Sequence, residues 1–209
     1  LGALYGLIAI GYTMVYGIIE LINFAHGEIY MIGAFTALIV SGLLGFLGLP
    51  TLGLIVIAGL VAILYCAAYG FTMEKIAYKP RRGASRLAPL ISAIGMSIFL
   101  QNYVQLLQSP NFLIFTDIVP NIGFLEPVSH IFNKTQFVIW VATALLMGVL
   151  TFIIKCTRMG MAMRAVAQAR DMALLVGVNI DRVISSTFVI GSSLAAVGGP
   201  ADRLLHAAG

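Results

Sequence analysis

Long apolar segments, separated by short polar stretches, make up most of this chain. A helix needs roughly 20 apolar residues to cross the hydrocarbon core of a bilayer, so these segments predict membrane spans. Five spans are predicted, and a sixth apolar segment begins near the end of the sequence. They cover residues 1–19, 29–44, 51–71, 87–107 and 135–154, followed by 184–199.

Composition supports the same interpretation. Hydrophobic residues make up 60% of the chain and charged residues 10%. Soluble domains average about 45–50% apolar and about 25% charged residues. So few charges could not cover a surface exposed to water, and the predicted fold class is therefore an all-α, polytopic integral membrane protein.

Basic residues are concentrated in two of the connections between spans. Ten of the twelve Lys and Arg residues lie in segments 74–86 and 155–182. By the positive-inside rule both segments are predicted to be cytoplasmic, with connections 42–50 and 109–134 on the outer side. Since the basic groups follow the ends of spans and form no contiguous stripe, nucleic acid is not an expected partner.

A polar break interrupts the first apolar region. Glu20, Asn23, His26 and Glu28 fall within nine positions, between two apolar segments. Ionisable groups inside a membrane are costly and usually mark a path or a binding site. If the second span is discontinuous, a helix beginning near Gly27 would point free N–H groups at a translocation path and favour an anionic group.

In that interpretation Gly27 allows the chain to turn and a backbone to approach closely. Asn23 would satisfy backbone groups freed by the break. The alternative is an ordinary cytoplasmic turn, with Glu28 as a first-turn acid and His26 as a solvated loop residue. For Asn23 and Gly27 a structural role is preferred to ligand binding, and the two interpretations remain open.

The second basic segment has helical periodicity over residues 157–177. Gly160 stands just before the periodic run, Gly177 occupies the position of a C-cap glycine, and Arg164 and Asp171 lie on a second face. Such a helix could dock on a soluble partner, connect two spans, or lie on lipid headgroups. Small residues favour docking, and they are Ala165, Ala167, Ala169 and Ala173. The apolar positions are Met163, Val166, Ala169, Met172, Ala173 and Val176.

Several stretches together resemble a known family. They are residues 12–17, 22–34, 91–102 and 158–183, and the second of them includes Asn23-Phe24-Ala25-His26-Gly27. They are similar to the high-affinity branched-chain amino acid permeases of bacterial ABC importers, the LivH type. The likeness extends from about Gly2 to Gly199. It implies a permease domain over residues 1–199, in the bacterial inner membrane.

The resemblance also implies partners and roles. The cytoplasmic helix corresponds to the coupling motif that contacts the ATPase, which suggests roles for Gly160, Arg164, Asp171, Ala173 and Gly177. The core of that motif is matched loosely, with Asp in place of Glu and Met in place of the first Ala. The expected partners are a second, LivM-like permease subunit, two cytoplasmic ATPase subunits, a periplasmic or lipid-anchored solute-binding protein, and membrane lipid.

No cofactor is expected on this chain. It has no Gly-x-x-x-x-Gly-Lys-Ser/Thr loop, so ATP would be bound by the partner subunits, and the chain is not expected to be an enzyme. No second histidine stands at ligand spacing from His26, and no metal site is predicted. An intramembrane enzyme is disfavoured because a Gly-x-Ser-x-Gly motif is also missing from the sequence.

Two alternative functions remain. One is a permease of the same importer branch for urea, short-chain amides or other amino acids. The other is a proton-coupled carrier or channel that uses Glu20 or Glu28 as a titrating group.

The ends of the chain depart from the family pattern. Family members begin earlier and continue past Gly199 with further membrane segments. Residues 200–209 form an atypical tail in which Pro200 is expected to break the sixth span. The chain is therefore expected to be truncated at both ends.

Overall fold

A computed structural model of the chain describes residues 2–20, 22–46, 51–81, 87–108 and 134–207. Almost all of the predicted outer connection 109–134 lies outside these residues, as do 47–50, 82–86 and 208–209. All regular structure within the described ranges is helical.

Eight α-helices form the described part of the fold. They are α1 (Gly2–Ile19), α2 (His26–Gly45), α3 (Thr51–Met73), α4 (Leu87–Gln108), α5 (Lys134–Cys156), α6 (Arg158–Gln168), α7 (Arg170–Leu175) and α8 (Ile180–Ala207). α3 continues directly into a π-helical turn, Glu74–Tyr78, and then a 3₁₀ turn, Lys79–Arg81.

Length and composition allow four described helices to cross a membrane. They are His26–Gly45, Val56–Arg81, Leu87–Leu107 and Ile180–Gly198. A fifth span results if α5 and α6, which meet at 74°, are counted together. α1 is apolar along all of its 18 residues, Gly2–Ile19. These helices confirm the predicted all-α, polytopic class.

α8 lies at the centre of the bundle and packs against α1, α2 and α3. Small residues allow these helices to approach closely. A Cβ atom built on Gly33 would lie 2.8 Å from the Ala196 Cα, and one on Gly191 would lie 3.0 Å from the Val15 Cγ2. In lipid, where burial of apolar surface does not drive helix association, such close packing is a main source of helix–helix stability.

α8 continues through Pro200 to Ala207. The expectation that Pro200 breaks the sixth span is therefore wrong. A proline removes one backbone hydrogen bond from a helix and favours a bend there, but the bonds on either side can keep the helix going.

The first basic segment is helical over residues 74–81, where a loop was expected. The helical backbone of α3 extends to Arg81, and Glu74, Ala77 and Tyr78 are buried. Their spacing of three and four residues is that of one helix face. The appearance of charges at Glu74 and Lys75 had suggested the end of the span.

The two basic segments meet at one end of the bundle. Lys79 Nζ lies 3.0 Å from Asp181 Oδ2, joining the end of α3 to the start of α8. This contact places the two segments at the same end of the bundle, and their cytoplasmic location stays a prediction.

Candidate functional site

The polar break is a short non-helical connection between α1 and α2. The backbone of Glu20, an exposed residue, has a φ of +57°, in the left-handed region. Residues other than glycine enter this region at a cost of about 1–2 kcal/mol. The chain therefore leaves the helical path at Glu20, immediately after α1 ends at Ile19.

Asn23 ties the break to the bundle. Its side chain is 3% exposed, and its Oδ1 accepts hydrogen bonds from the Ala25 N–H at 3.2 Å and from the Tyr78 hydroxyl at 3.1 Å. The first bond satisfies a backbone donor next to the start of α2. The prediction that Asn23 satisfies backbone groups freed by the break is confirmed.

His26 is the first residue of α2 and is buried between helices. Only 2% of it is exposed, and its ring meets that of Tyr12 edge-on, with centroids 6.1 Å apart. A Cβ atom on Gly11 would lie 3.1 Å from the His26 Nε2. The expectation that His26 is a solvated loop residue is therefore wrong.

The position of His26 locates the start of α2 within the bundle. Gly11 lies eight residues before Ile19, which corresponds to about 12 Å along α1 at 1.5 Å per residue. The chain thus turns back alongside α1 before α2 begins. The Ile8 backbone lies close to the imidazole, yet among the described residues neither ring nitrogen has a partner in hydrogen-bond geometry.

Glu28 lies in the first turn of α2, as the second interpretation expected of an acid at that position. A carboxylate is favoured there by the partial positive charge at a helix N-terminus. Its Oε1 also accepts a hydrogen bond of 3.1 Å from the Ser97 hydroxyl on α4. Glu28 therefore links α2 to α4.

Gly27 has neither of the structural roles predicted for it. Its φ is not positive, and no described atom lies within 4 Å of a Cβ atom built on it. The sharp turn belongs to Glu20, and the close approach belongs to Gly11. Gly27 instead lies on an open face at the start of α2, where the helix has no side-chain cap.

The four predicted path residues are close in sequence, but the three that have side chains contact different elements. Asn23 contacts the π-helical turn, His26 contacts α1, and Glu28 contacts α4. These three side chains hold the break in the bundle. The open face at Gly27 is the part of this group that can meet a solute or another subunit.

Glu74 is a functional candidate that the sequence did not reveal. It is fully buried, and its Oε2 accepts a 2.8 Å hydrogen bond from the Ser185 hydroxyl on α8. Next to it, the ring of Tyr78 packs on that of Phe188, with centroids 4.9 Å apart. π-helical turns are often found at functional sites. The available signal was the spacing of positions 74, 77 and 78.

Gly160 forms the corner between α5 and α6. Thr157 caps α6 by accepting a 3.0 Å hydrogen bond from the Gly160 N–H. A Cβ atom at this position would collide with the carbonyl oxygens of Ile153 and Ile154. Only glycine fits this corner, where the chain bends by 74°.

The predicted helix over residues 157–177 is divided in two. Ala169 has an extended backbone, with φ −154° and ψ 95°, and separates α6 from α7. The predicted apolar ridge is divided as well. Met163, Val166 and Ala173 are buried against the bundle, whereas Met172 and Val176 are exposed, together with Leu175.

Gly177 ends α7 as predicted. Its φ is +81°, its N–H bonds to the Leu174 carbonyl, and the Val178 N–H bonds to the Ala173 carbonyl, both at 3.0 Å. This is the Schellman arrangement, in which glycine best adopts the left-handed conformation.

The proposed coupling residues divide by exposure. Arg164, Asp171 and Gly177 are exposed, whereas Gly160 and Ala173 are buried. Gly160 and Ala173 can therefore shape the segment but cannot contact a partner directly. No group of three or more His, Cys, Asp or Glu side chains in the described ranges could hold a metal ion.

The chain matches a protein family along nearly its whole length. The model of the family described as "Branched-chain amino acid transport system / permease component" matches residues 1–201. No solved structure is significantly similar to the chain.

Curated bacterial proteins are also similar. The high-affinity branched-chain amino acid transport system permease protein LivH of Escherichia coli K12 is 50% identical over 203 residues, and that of Salmonella typhimurium is 49% identical. In each case the alignment covers 95% of this chain and 66% of the relative. The corresponding permease BraD of Pseudomonas aeruginosa is 48% identical over 200 residues, covering 94% and 65%.

The chain thus spans about 66% of the length of the enterobacterial relatives. Its apolar helices and its bacterial relatives indicate a multi-pass protein of the inner membrane. The chain belongs to the family of permease components of branched-chain amino acid transport systems.

Proposed function

We propose that this chain forms part of the transmembrane subunit of an ABC importer for branched-chain amino acids. The observation that supports this most strongly is the family match over residues 1–201. The names of the relatives favour branched-chain amino acids over urea or amides as the solute.

In this proposal the start of α2 lies beside the translocation route. The buried side chains of Asn23 and His26 hold the break in place, and Glu28 fixes it to α4. The open face at Gly27 would meet the route at the interface with a second permease subunit. A helix N-terminus there would favour the carboxylate of the solute.

The α6–α7 segment would transmit movement from the ATPase subunits, which would bind the ATP. Three apolar side chains near its end, Met172, Leu175 and Val176, are 64%, 82% and 83% exposed. Large apolar side chains exposed together often mark a protein contact. Arg164 and Asp171 are exposed on the same segment and could add polar contacts.

The corner at Gly160 would make this segment a lever. Because α6 begins at the last turn of α5 and is capped there by Thr157, displacement of α6 would also move α5. A periplasmic or lipid-anchored binding protein would deliver the solute from the other side.

The test measures uptake of radiolabelled leucine by cells that express the intact importer. The proposal predicts that uptake requires active ATPase subunits and survives collapse of the proton gradient while ATP is maintained. Uptake that requires the proton gradient and does not require active ATPase subunits would instead support a proton-coupled carrier and contradict the proposal.

A second measurement addresses coupling. Substitution of Leu175 and Val176 by Ser should lower leucine-stimulated ATP hydrolysis while leaving the amount of permease in the membrane unchanged, because both side chains are exposed in the chain. Substitution of the exposed Met161 by Ser, on the preceding helix, is the matched control. Unchanged hydrolysis in the double variant would count against the coupling role.

A further inference from the structure

A cleft opens where the two basic segments meet. Its volume is about 430 Å³, and its walls come from the end of α3, the π-helical and 3₁₀ turns that follow, the first residues of α6 and the start of α8. Phe71 and Met159 provide apolar wall, and Lys75, Lys79 and Arg182 provide positive charge.

The cleft is positively charged. Three cations and one carboxylate, Asp181, line it, which gives a net formal charge of 3 − 1 = +2. Lys79 is paired with Asp181 at 3.0 Å. Lys75 and Arg182 are exposed and supply the remaining two positive charges. Glu74 lies below the cleft, bonded to the Ser185 hydroxyl, and reduces the local charge to 2 − 1 = +1.

An exposed apolar stripe on α3 leads into this cleft. Leu60, Leu64 and Phe71 are 56%, 71% and 45% exposed. Leu64 follows Leu60 by four residues, Phe71 follows Leu64 by seven, and Lys75 follows Phe71 by four. This spacing places all four residues on one face of the helix. The Lys75 Nζ lies 5.3 Å from the centre of the Phe71 ring, at the junction of the stripe and the cleft.

We propose that this cleft binds the headgroup of an anionic phospholipid, with an acyl chain along the α3 stripe. Basic pockets between helices at the cytoplasmic side of a membrane attract anionic headgroups. A free phosphate would use the cations but not the stripe. A phospholipid uses both, because its charged headgroup fits the cleft while an acyl chain attached to it lies along the adjoining stripe.

The test uses the intact permease complex in nanodiscs of equal parts dioleoyl-phosphatidylglycerol and dioleoyl-phosphatidylcholine. Native mass spectrometry measures which lipids stay bound to the complex after it is released from the nanodiscs. Wild-type complex should retain phosphatidylglycerol in preference to phosphatidylcholine. The double variant K75Q/R182Q should retain about 25-fold less phosphatidylglycerol than wild type. Each basic residue near the headgroups contributes about fivefold to that retention.

The matched control is R158Q/R170Q, which removes two exposed cations of α6 and α7 that do not line the cleft. It should change retention by less than about twofold, since only contacts near the headgroup contribute strongly. An unchanged melting temperature of K75Q/R182Q establishes that the loss is not due to unfolding.

Four results would overturn the proposal. Equal losses in both double variants would indicate diffuse surface charge. Equal retention of the two lipids by wild-type complex would remove the preference for an anion. Displacement by inorganic phosphate as efficient as by phosphatidylglycerol would indicate a free-anion site. Loss of the bound phosphatidylglycerol when ATPase subunits are added would indicate that the cleft is a contact for those subunits.

Discussion

The Tyr78 hydroxyl donates a 3.1 Å hydrogen bond to the Asn23 Oδ1, across 55 positions of sequence. Both residues are buried, and Asn23 simultaneously accepts the Ala25 N–H. One side-chain oxygen thus satisfies a backbone group of the break and fixes it to the turn that follows α3. This arrangement keeps the start of α2 in place without a side-chain cap on the helix itself.

Removal of these hydrogen bonds should destabilise the permease, and N23A should lower its stability more than Y78F. N23A removes both acceptor contacts and should cost about 1–3 kcal/mol, because buried donors are left unpaired. Y78F removes one and should cost about 0.5–1.5 kcal/mol. Thermal unfolding of the intact permease complex in detergent measures both. The double variant should be about as stable as N23A, and fully additive losses would contradict the shared contact.

Gly11 should tolerate no side chain. G11A places a methyl group against the His26 imidazole, 3.1 Å from the Nε2, and overpacking of this kind costs about 1–3 kcal/mol. Membrane abundance and melting temperature should both fall. G17A, on the same helix, is the control, because no described atom lies within 4 Å of a Cβ atom there. Similar effects in the two variants would show that His26 does not pack against Gly11.

The corner between α5 and α6 should depend on Gly160. In G160A the new methyl group meets the carbonyl oxygens of Ile153 and Ile154, so α6 must move away from α5. Leucine-stimulated ATP hydrolysis and uptake should both decrease. G148A, within α5 and free of contacts in the described ranges, should behave as wild type. Normal coupling in G160A would show that the corner does not transmit movement.

The two basic segments should be close enough to crosslink. With cysteine in place of Lys79 and of Asp181, a short bismaleimide should join the two positions within one chain, because the native side chains touch at 3.0 Å. The negative control has cysteine in place of Lys79 and of Ile39, because Ile39 lies in the second half of α2. Absence of the first crosslink in folded complex would place the segments on different sides.

The helical class and the position of the basic segments could be predicted because both follow from local patterns. Runs of apolar residues mark spans wherever their partners lie. Contacts between distant segments could not be predicted in this way. Glu74 looked like the first charge after a span, and its burial depends on Ser185, which lies 111 positions away.

The same limit applies to the polar break and the cytoplasmic segment. Sequence could place His26 between two apolar runs but could not show that α2 begins beside Gly11. At residues 157–177 the apolar spacing continues across Ala169, so periodicity alone predicted a single helix. The extended backbone of Ala169 turns Met163 and Val166 toward the bundle and leaves Met172 exposed.

The most direct test of the proposed route is the substitution of Gly27 by valine. A Cβ atom there would meet no described atom within 4 Å, so G27V should fold and reach the membrane normally. Loss of uptake at normal abundance would then report a side chain that obstructs the route. G59V, in α3 and equally free of contacts, controls for the β-branched residue in a helix.

Radiolabelled leucine uptake and membrane abundance should be measured together for G27V and G59V in the intact importer. The proposed route predicts severalfold lower uptake for G27V at wild-type abundance, with G59V unaffected. Wild-type uptake by G27V at wild-type abundance would contradict it.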